Sequence, residues 1–311
     1  MEVLQLTNFL AASVRMAAPL LLASLGLVIS ERAGLMNIGV EGIMLMAAFA
    51  GYAGSKLAGG YWYGLMVAIL VSIFIISIFA VTTIKYKSQQ VIVGAALNMF
   101  CAGLSSFLYR LLFYNTGRFD DGIAAASFPR ISIPVLSKIP ILGPVLFNHN
   151  ILVYFSFVMV AVIWIVINKT SMGLKIIAAG EHPKAADSLG INVIRVRYMA
   201  TIFSGIMIGV AGAYLSIAQA SSFGEGMTAG RGFIAMAVVI LGKWSPIGAL
   251  LGALFFGAAT ALQLLFQITG VDVPRNFIMM IPYIATVIAV LLVSRNRVGA
   301  PSALGVPYEK S

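Results

Sequence analysis

Charged residues are scarce in this 311-residue sequence: Asp, Glu, Lys and Arg together make up 10%, against about 25% in an ordinary soluble domain. There is one cysteine, Cys101, inside an apolar run, so no disulfide framework is possible within the chain. The two histidines, His149 and His182, stand far apart and without a Cys/His cluster, so no metal site is expected. No G-x-x-x-x-G-K-[ST] loop occurs, which excludes ATP hydrolysis by that route. No acid/base pair stands beside a nucleophile, and no catalytic residue or resident cofactor is assigned. Glu2, with no basic stretch ahead of the first apolar run, argues against a cleaved signal peptide.

What is abundant is apolar surface. Hydrophobic residues reach 60% and the mean hydropathy is +1.00. A soluble domain of this length cannot bury so much and keep a wettable exterior, and disorder is excluded by the same composition. The expected class is an all-α polytopic membrane protein with about eight to ten transmembrane helices in a single domain, residues 1–311. Residues 61–84, 88–109, 150–168, 198–224, 244–271 and 276–294 carry no charge, and 9–30 carries only Arg15. Two apolar segments, 42–55 and 232–242, are too short to cross as straight helices and border Gly-rich sequence, the pattern of broken or re-entrant helices near a substrate path.

The net charge of +10 reads as membrane orientation rather than nucleic-acid binding, because basic residues stay on the cytoplasmic side. Placing 169–197 inside puts twelve Lys and Arg inside and seven outside. The N-terminus is then outside, the C-terminus cytoplasmic, and 114–148, with Pro129, Pro134, Pro140 and Pro144, an external loop that is not a long helix. In 169–197, Pro183 suits a first helical position and Gly190 a stop, framing a short helix.

Three polar groups interrupt the apolar background. Glu41 opens the 42–55 run, and a carboxylate at that depth must face a cavity or a partner. Asn37 lies four residues before it, on the same face if the segment is helical. These side chains either line a translocation path or only lock helices together. Asn98, mid-span with Gln89, Gln90, Ser105 and Ser106 nearby, has the same two readings. The third group, residues 224–235, contains G-x-G-x-x-A at 230–235, but the dinucleotide fingerprint needs a soluble βαβ unit, so a re-entrant or loop-to-helix junction is expected, with Arg231 either attracting an anion or, the favoured reading, paired to Glu225. Gly205/Gly209 and Gly248/Gly252 have the spacing of close helix packing.

Three motifs carry a resemblance: ERAGLMNIGVEGIM at 31–44, AAGEHPKAADSLGIN at 178–192 and MTAGRGFIAMA at 227–237. With them the chain resembles, over nearly its whole length, the permease subunits of bacterial ABC importers in the nucleoside and simple-sugar branch of the ribose and branched-chain amino-acid permease family. That family usually has Asn where this chain has His182. The resemblance implies that Gly180, Glu181, His182, Pro183, Ala185, Ala186 and Gly190 form an ATPase-docking loop within 169–197, with ATP and Mg on the separate ATPase subunit. It implies a second permease subunit (a heterodimer), an extracytoplasmic substrate-binding lipoprotein, and alternating access through a path with Asn37, Glu41 and Asn98 for a nucleoside or other small neutral solute in the bacterial cell membrane. An ion-coupled secondary transporter using Glu41 is the alternative that the residues alone allow.

Overall fold

A computed structural model describes residues 2–114, 126–132, 142–269, 274–293 and 299–309. Pro134 and Pro140 lie outside the described residues, as do five of the nineteen cations counted above for orientation, Arg118, Lys138, Arg295, Arg297 and Lys310.

The architecture is all-α apart from one small ribbon. Helices α1 (Glu2–Arg32), α2 (Val40–Ala58), α3 (Tyr61–Ala80) and α4 (Gln90–Tyr109) come first, and the short α5 (Leu142–Leu146) follows. After it run α6 (Ile151–Lys169), α7 (Ser171–Glu181), α8 (Pro183–Ser188) and α9 (Val193–Ala213). The chain continues through α10 (Arg231–Leu241), α11 (Pro246–Thr269), α12 (Arg275–Met279) and α13 (Ile281–Val293). Wide π-helical turns extend α3, α4 and α9 at their C-terminal ends. Strands β1 (Arg130–Ser132) and β2 (Asn148–Asn150) pair antiparallel, Ile131 opposite His149.

Local chemistry sets the ends. Asn150, Thr170 and Asn192 cap α6, α7 and α9 by accepting the N–H groups of Val153 (3.2 Å), Gly173 (3.2 Å) and Arg195 (2.9 Å), each satisfying one of the orphan donors of a first turn. Pro183 starts α8, and Gly190 follows it at φ +82°.

Among the described residues, six helical stretches are long and apolar enough to cross a membrane. They are 5–32, 61–85, 90–113, 151–169, 193–219 and 246–268. α1, α2 and α9 form the centre. α2 packs against α3, α4, α9 and α10, and α1 against α6, α9, α10 and α11. The flanking α4, α6 and α11 leave most of their apolar surface open, including Met99, Phe107, Val158 and Leu251. Water would not tolerate that exterior; lipid does. The chain is a multi-pass membrane protein.

The 42–55 run is part of a 19-residue helix, 40–58, that includes Glu41 in its first turn and Lys56 in its last, and this helix is not among the six crossing stretches. The charges extend it because each sits at an end where it has a partner. The break precedes it, at 33–39. The other short segment does remain short: α10 has 11 residues.

The paired glycines act as spaced. Gly205 and Gly209 of α9 lie against Ile76 and Ser72 of α3, and Gly248 meets the backbone of Gly242, close approaches that a Cβ would block.

Candidate functional site

Glu41 and the Gly-rich segment before α10 meet. One carboxylate oxygen of Glu41 accepts the N–H of Gly230 at 2.8 Å, the other that of Gly232 at 2.6 Å. Gly230, at φ +83°, is the residue that caps α10. Glu41 therefore satisfies two free donors of that helix and sits at the positive end of its dipole. A Cβ on Gly232 would stand 2.6 Å from the Glu41 Cα, so only glycine permits the two backbones to approach this closely.

The depth of this junction follows from α10. Eleven helical residues span about 16 Å. At the far end Trp244 donates to Glu31 and its carbonyl accepts from Arg32, which places that end of α10 level with the C-terminal end of α1. Glu41 is thus roughly 16 Å along the bundle from that end, about half the thickness of a hydrocarbon core.

Asn98 completes the junction from α4. Its Oδ1 accepts the Gly42 N–H at 2.7 Å and its Nδ2 donates to the Ile38 carbonyl at 2.9 Å. Gln90, one of the polar neighbours noted beside Asn98, does similar work: its Oε1 accepts the Met36 N–H at 2.7 Å. The two amides hold the non-helical segment before α2, whose backbone polar groups cannot be left bare in a membrane. Asn37 is fully buried, and neither polar atom of its side chain has a protein partner. Gln90 Nε2 is also buried and unpartnered. Such atoms call for water or a ligand. The geometry brings Glu41 and Asn98 onto the same stretch, 38–42, and leaves Asn37 as the amide with open capacity.

At the other end of α2 lies an aromatic cluster. Phe223 stacks edge-on with Phe49 (centroids 5.5 Å) and Tyr109 (5.0 Å), and Tyr52 with Phe113 (5.2 Å). Nearby, Glu225 is held by Arg110 through two bonds of 2.8 and 3.0 Å, and this places the Glu225 carboxyl below its ordinary range. The sequence pairs Glu225 with Arg231; the structure seats Arg231 on the carbonyls of Met227 and Thr228.

The 169–197 segment holds two helices, α7 and α8, where the sequence marked one. His182, Ala185 and Gly190 are exposed, Glu181 and Pro183 half-buried, and Gly180 and Ala186 buried. Gly180 rests on the backbone of Arg32. Leu189, not among the docking residues named from the sequence, is 81% exposed. An apolar side chain set between Ser188 and Gly190 in a polar loop was the signal available.

A strap also escaped notice. Residues 299–309 return across α7 and α8. Ala303 N–H donates to the Gly180 carbonyl (2.9 Å) and Gly305 N–H to that of Gly34 (3.2 Å); Ser302 binds Glu181. Buried Arg197 donates to Ala33 and Val306, each at 3.1 Å, and lies under the Tyr308 ring. Gly34, at φ +91° and with Arg197 Nη2 2.8 Å from where a Cβ would stand, leaves room for that arrangement.

Comparison with known proteins adds three findings. The family described as branched-chain amino acid transport system permease component matches residues 9–293. The guanosine ABC transporter permease protein NupQ of Bacillus subtilis is 36% identical, with 100% of this chain and 99% of the relative covered. The nucleoside ABC transporter permease protein NupC of Lactococcus lactis is 36% identical over 95% and 94%, and the putative glucose ABC transporter permease protein TsgC13 of Haloferax volcanii 37% over 86% and 80%. No solved structure matches.

Proposed function

The chain belongs to the family described as branched-chain amino acid transport system permease component, and on that premise we propose that it forms half of the membrane pathway of an ATP-driven importer for a nucleoside or closely related neutral solute. The observation that carries the substrate is end-to-end likeness to two permeases named for guanosine and nucleosides. The junction suits such a ligand. It is rich in amides, and both oxygens of its carboxylate are already engaged by backbone N–H groups. Asn37 offers a donor and an acceptor, and further along α2 the packed rings of Phe49, Tyr52, Tyr109, Phe113 and Phe223 make that stretch aromatic. The engaged carboxylate also speaks against proton coupling through Glu41.

The working cycle runs through contacts already described. α8, with Leu189 and Ala185 outward, enters a separate ATPase on the cytoplasmic side, which also holds the C-terminus; the N-terminus is outside. α7 bears on the end of α1 through Gly180. That end grips Trp244, and α10 leads from Trp244 to Glu41. A push on α8 thus reaches the junction through packed backbone. A second permease subunit completes the pathway, and an extracytoplasmic binding protein delivers the solute.

Two measurements test this. Concentrative uptake of radiolabelled guanosine by the assembled transporter, competed by other nucleosides and not by glucose, is the expected result; competition by glucose alone moves the substrate to the sugar class of the Haloferax relative. Leu189→Asp leaves membrane insertion intact and abolishes co-purification of the ATPase; undiminished co-purification removes the docking assignment.

A further inference from the structure

A groove of about 830 Å³ runs between α6 and α9. It exists because these helices pack elsewhere: α6 on α1, α7 and α11, α9 on α1, α2 and α3. Ile29 of α1 forms the floor, and Val162, Val166, Met199 and Phe203 line the walls. α7 closes one end, where Lys175, Asn192 and Arg195 stand. That end lies beside Lys169, the last residue of α6, whose ammonium sits 6.0 Å from the Trp164 ring centroid. A Trp and a Lys at the end of an apolar helix mark the water–lipid boundary. The groove therefore starts at that boundary and continues into the hydrocarbon region.

The charge at the mouth is one-sided. Lys175 and Arg195 line it, and no Asp or Glu does. Among the described residues the salt bridges found are Lys87–Glu309 and Arg110–Glu225, so neither cation at the mouth is paired. Two unpaired cations at the boundary above a dry slot match an anionic head group with acyl chains below it. Below the mouth water gains little, because the walls there, Val162, Val166, Met199 and Phe203, are apolar.

We propose that this groove is a binding site for an anionic phospholipid, with the phosphate at Lys175 and Arg195 and an acyl chain lying along Met199 and Phe203 over Ile29. The lipid braces α7 against α9 and α6. The site does not depend on what the protein transports.

The test is lipid retention by the full-length chain, purified in mild detergent in whatever assembly it forms and analysed by native mass spectrometry. The probes are phosphatidylglycerol and phosphatidylcholine with identical acyl chains. Phosphatidylglycerol is retained over phosphatidylcholine. K175S or R195S lowers its retention about fivefold, and the double variant roughly twenty-five-fold. Retention of phosphatidylcholine is unchanged in these variants. M199W, which fills the slot from an exposed position, lowers retention of both lipids at unchanged melting temperature. Millimolar inorganic phosphate displaces neither. Equal retention of the two lipids, insensitivity to the charge variants or displacement by phosphate overturns the proposal. So does a cross-link from M199C to another subunit, which would make the groove a protein interface.

Discussion

Trp244 donates its indole N–H to Glu31 over 2.6 Å, across 213 residues of sequence. Glu31 is only 3% exposed, and the residue beside it, Arg32, donates to the Trp244 carbonyl at 2.8 Å. Trp244 and the preceding Lys243 both have positive φ, +52° and +53°, a conformation that costs about 1–2 kcal/mol per residue outside glycine. The bonds to the end of α1 hold the turn after α10 in that shape. Trp244→Phe keeps an aromatic side chain, though a smaller one, and deletes the donor, leaving a buried carboxylate short of a partner. A loss of about 1–3 kcal/mol is expected, read as a lower melting temperature in detergent. Native-like melting would show that the turn holds itself.

Glu41→Gln tests the mid-bundle junction. The amide can accept from one glycine N–H and must turn its own NH₂ toward the other. We expect about 1.5–3 kcal/mol of destabilisation from losing one charge-assisted bond, with a sharp fall in uptake and unchanged membrane insertion. Glu41→Asp keeps the charge but shortens the reach, and should recover less than full activity. If Glu41→Gln transports normally, the junction is structural only.

Gly232 and Gly224 form a matched pair of controls. A methyl at 232 collides with the α2 backbone, whereas one at 224 meets nothing within 4 Å. Gly232→Ala should cost about 1–3 kcal/mol, in the range of overpacked interiors, and impair transport. Gly224→Ala should fall within about 0.5 kcal/mol of the native protein. Equal behaviour would mean that α10 is free to withdraw from α2.

The strap of residues 299–309 is expected to transmit force from the loop proposed above to dock the ATPase. Arg197→Met removes the bonds to Ala33 and Val306 while keeping the aliphatic length, and should destabilise by about 2–3 kcal/mol. Truncation before Ser302 frees Glu181 and removes Tyr308 from the small core it shares with Ala186 of α8. ATP hydrolysis by the assembled complex should then persist while solute uptake falls. Uptake and hydrolysis falling in step would instead make the strap a simple brace.

His149 sets an acid limit. Its Nε2 donates to the Val145 carbonyl at 2.7 Å, and its buried Nδ1 has no partner. Burial holds its pKa below the ordinary histidine value, nearby Arg15 and Arg130 push the same way, and the bond to Val145 opposes them. The unfolded chain takes up the proton near pH 6.5, before the folded one does. The stabilisation is complete above that pH and is lost as pH falls below it toward the folded value. Melting should drop as pH falls below about 6.5, and His149→Phe should flatten that drop. An unchanged slope would place the acid sensitivity elsewhere.

Much of this molecule was legible in the linear pattern, because a bilayer imposes a local rule: each span needs about 20 apolar residues and must satisfy its own backbone. Long charge-free runs, Pro183 and Gly190 around α8, and the small-residue spacing in α9 obey rules that act within one element. What the chain alone left open depended on partners distant in sequence. Which groups Glu41 meets was decided by Gly230 and Gly232, and the partners of Asn98 by the Ile38 carbonyl and Gly42 N–H. The strap on Arg197 and the slot between α6 and α9 exist only through packing, since a hydrogen bond or a gap between helices is a property of two surfaces together and neither surface encodes it alone.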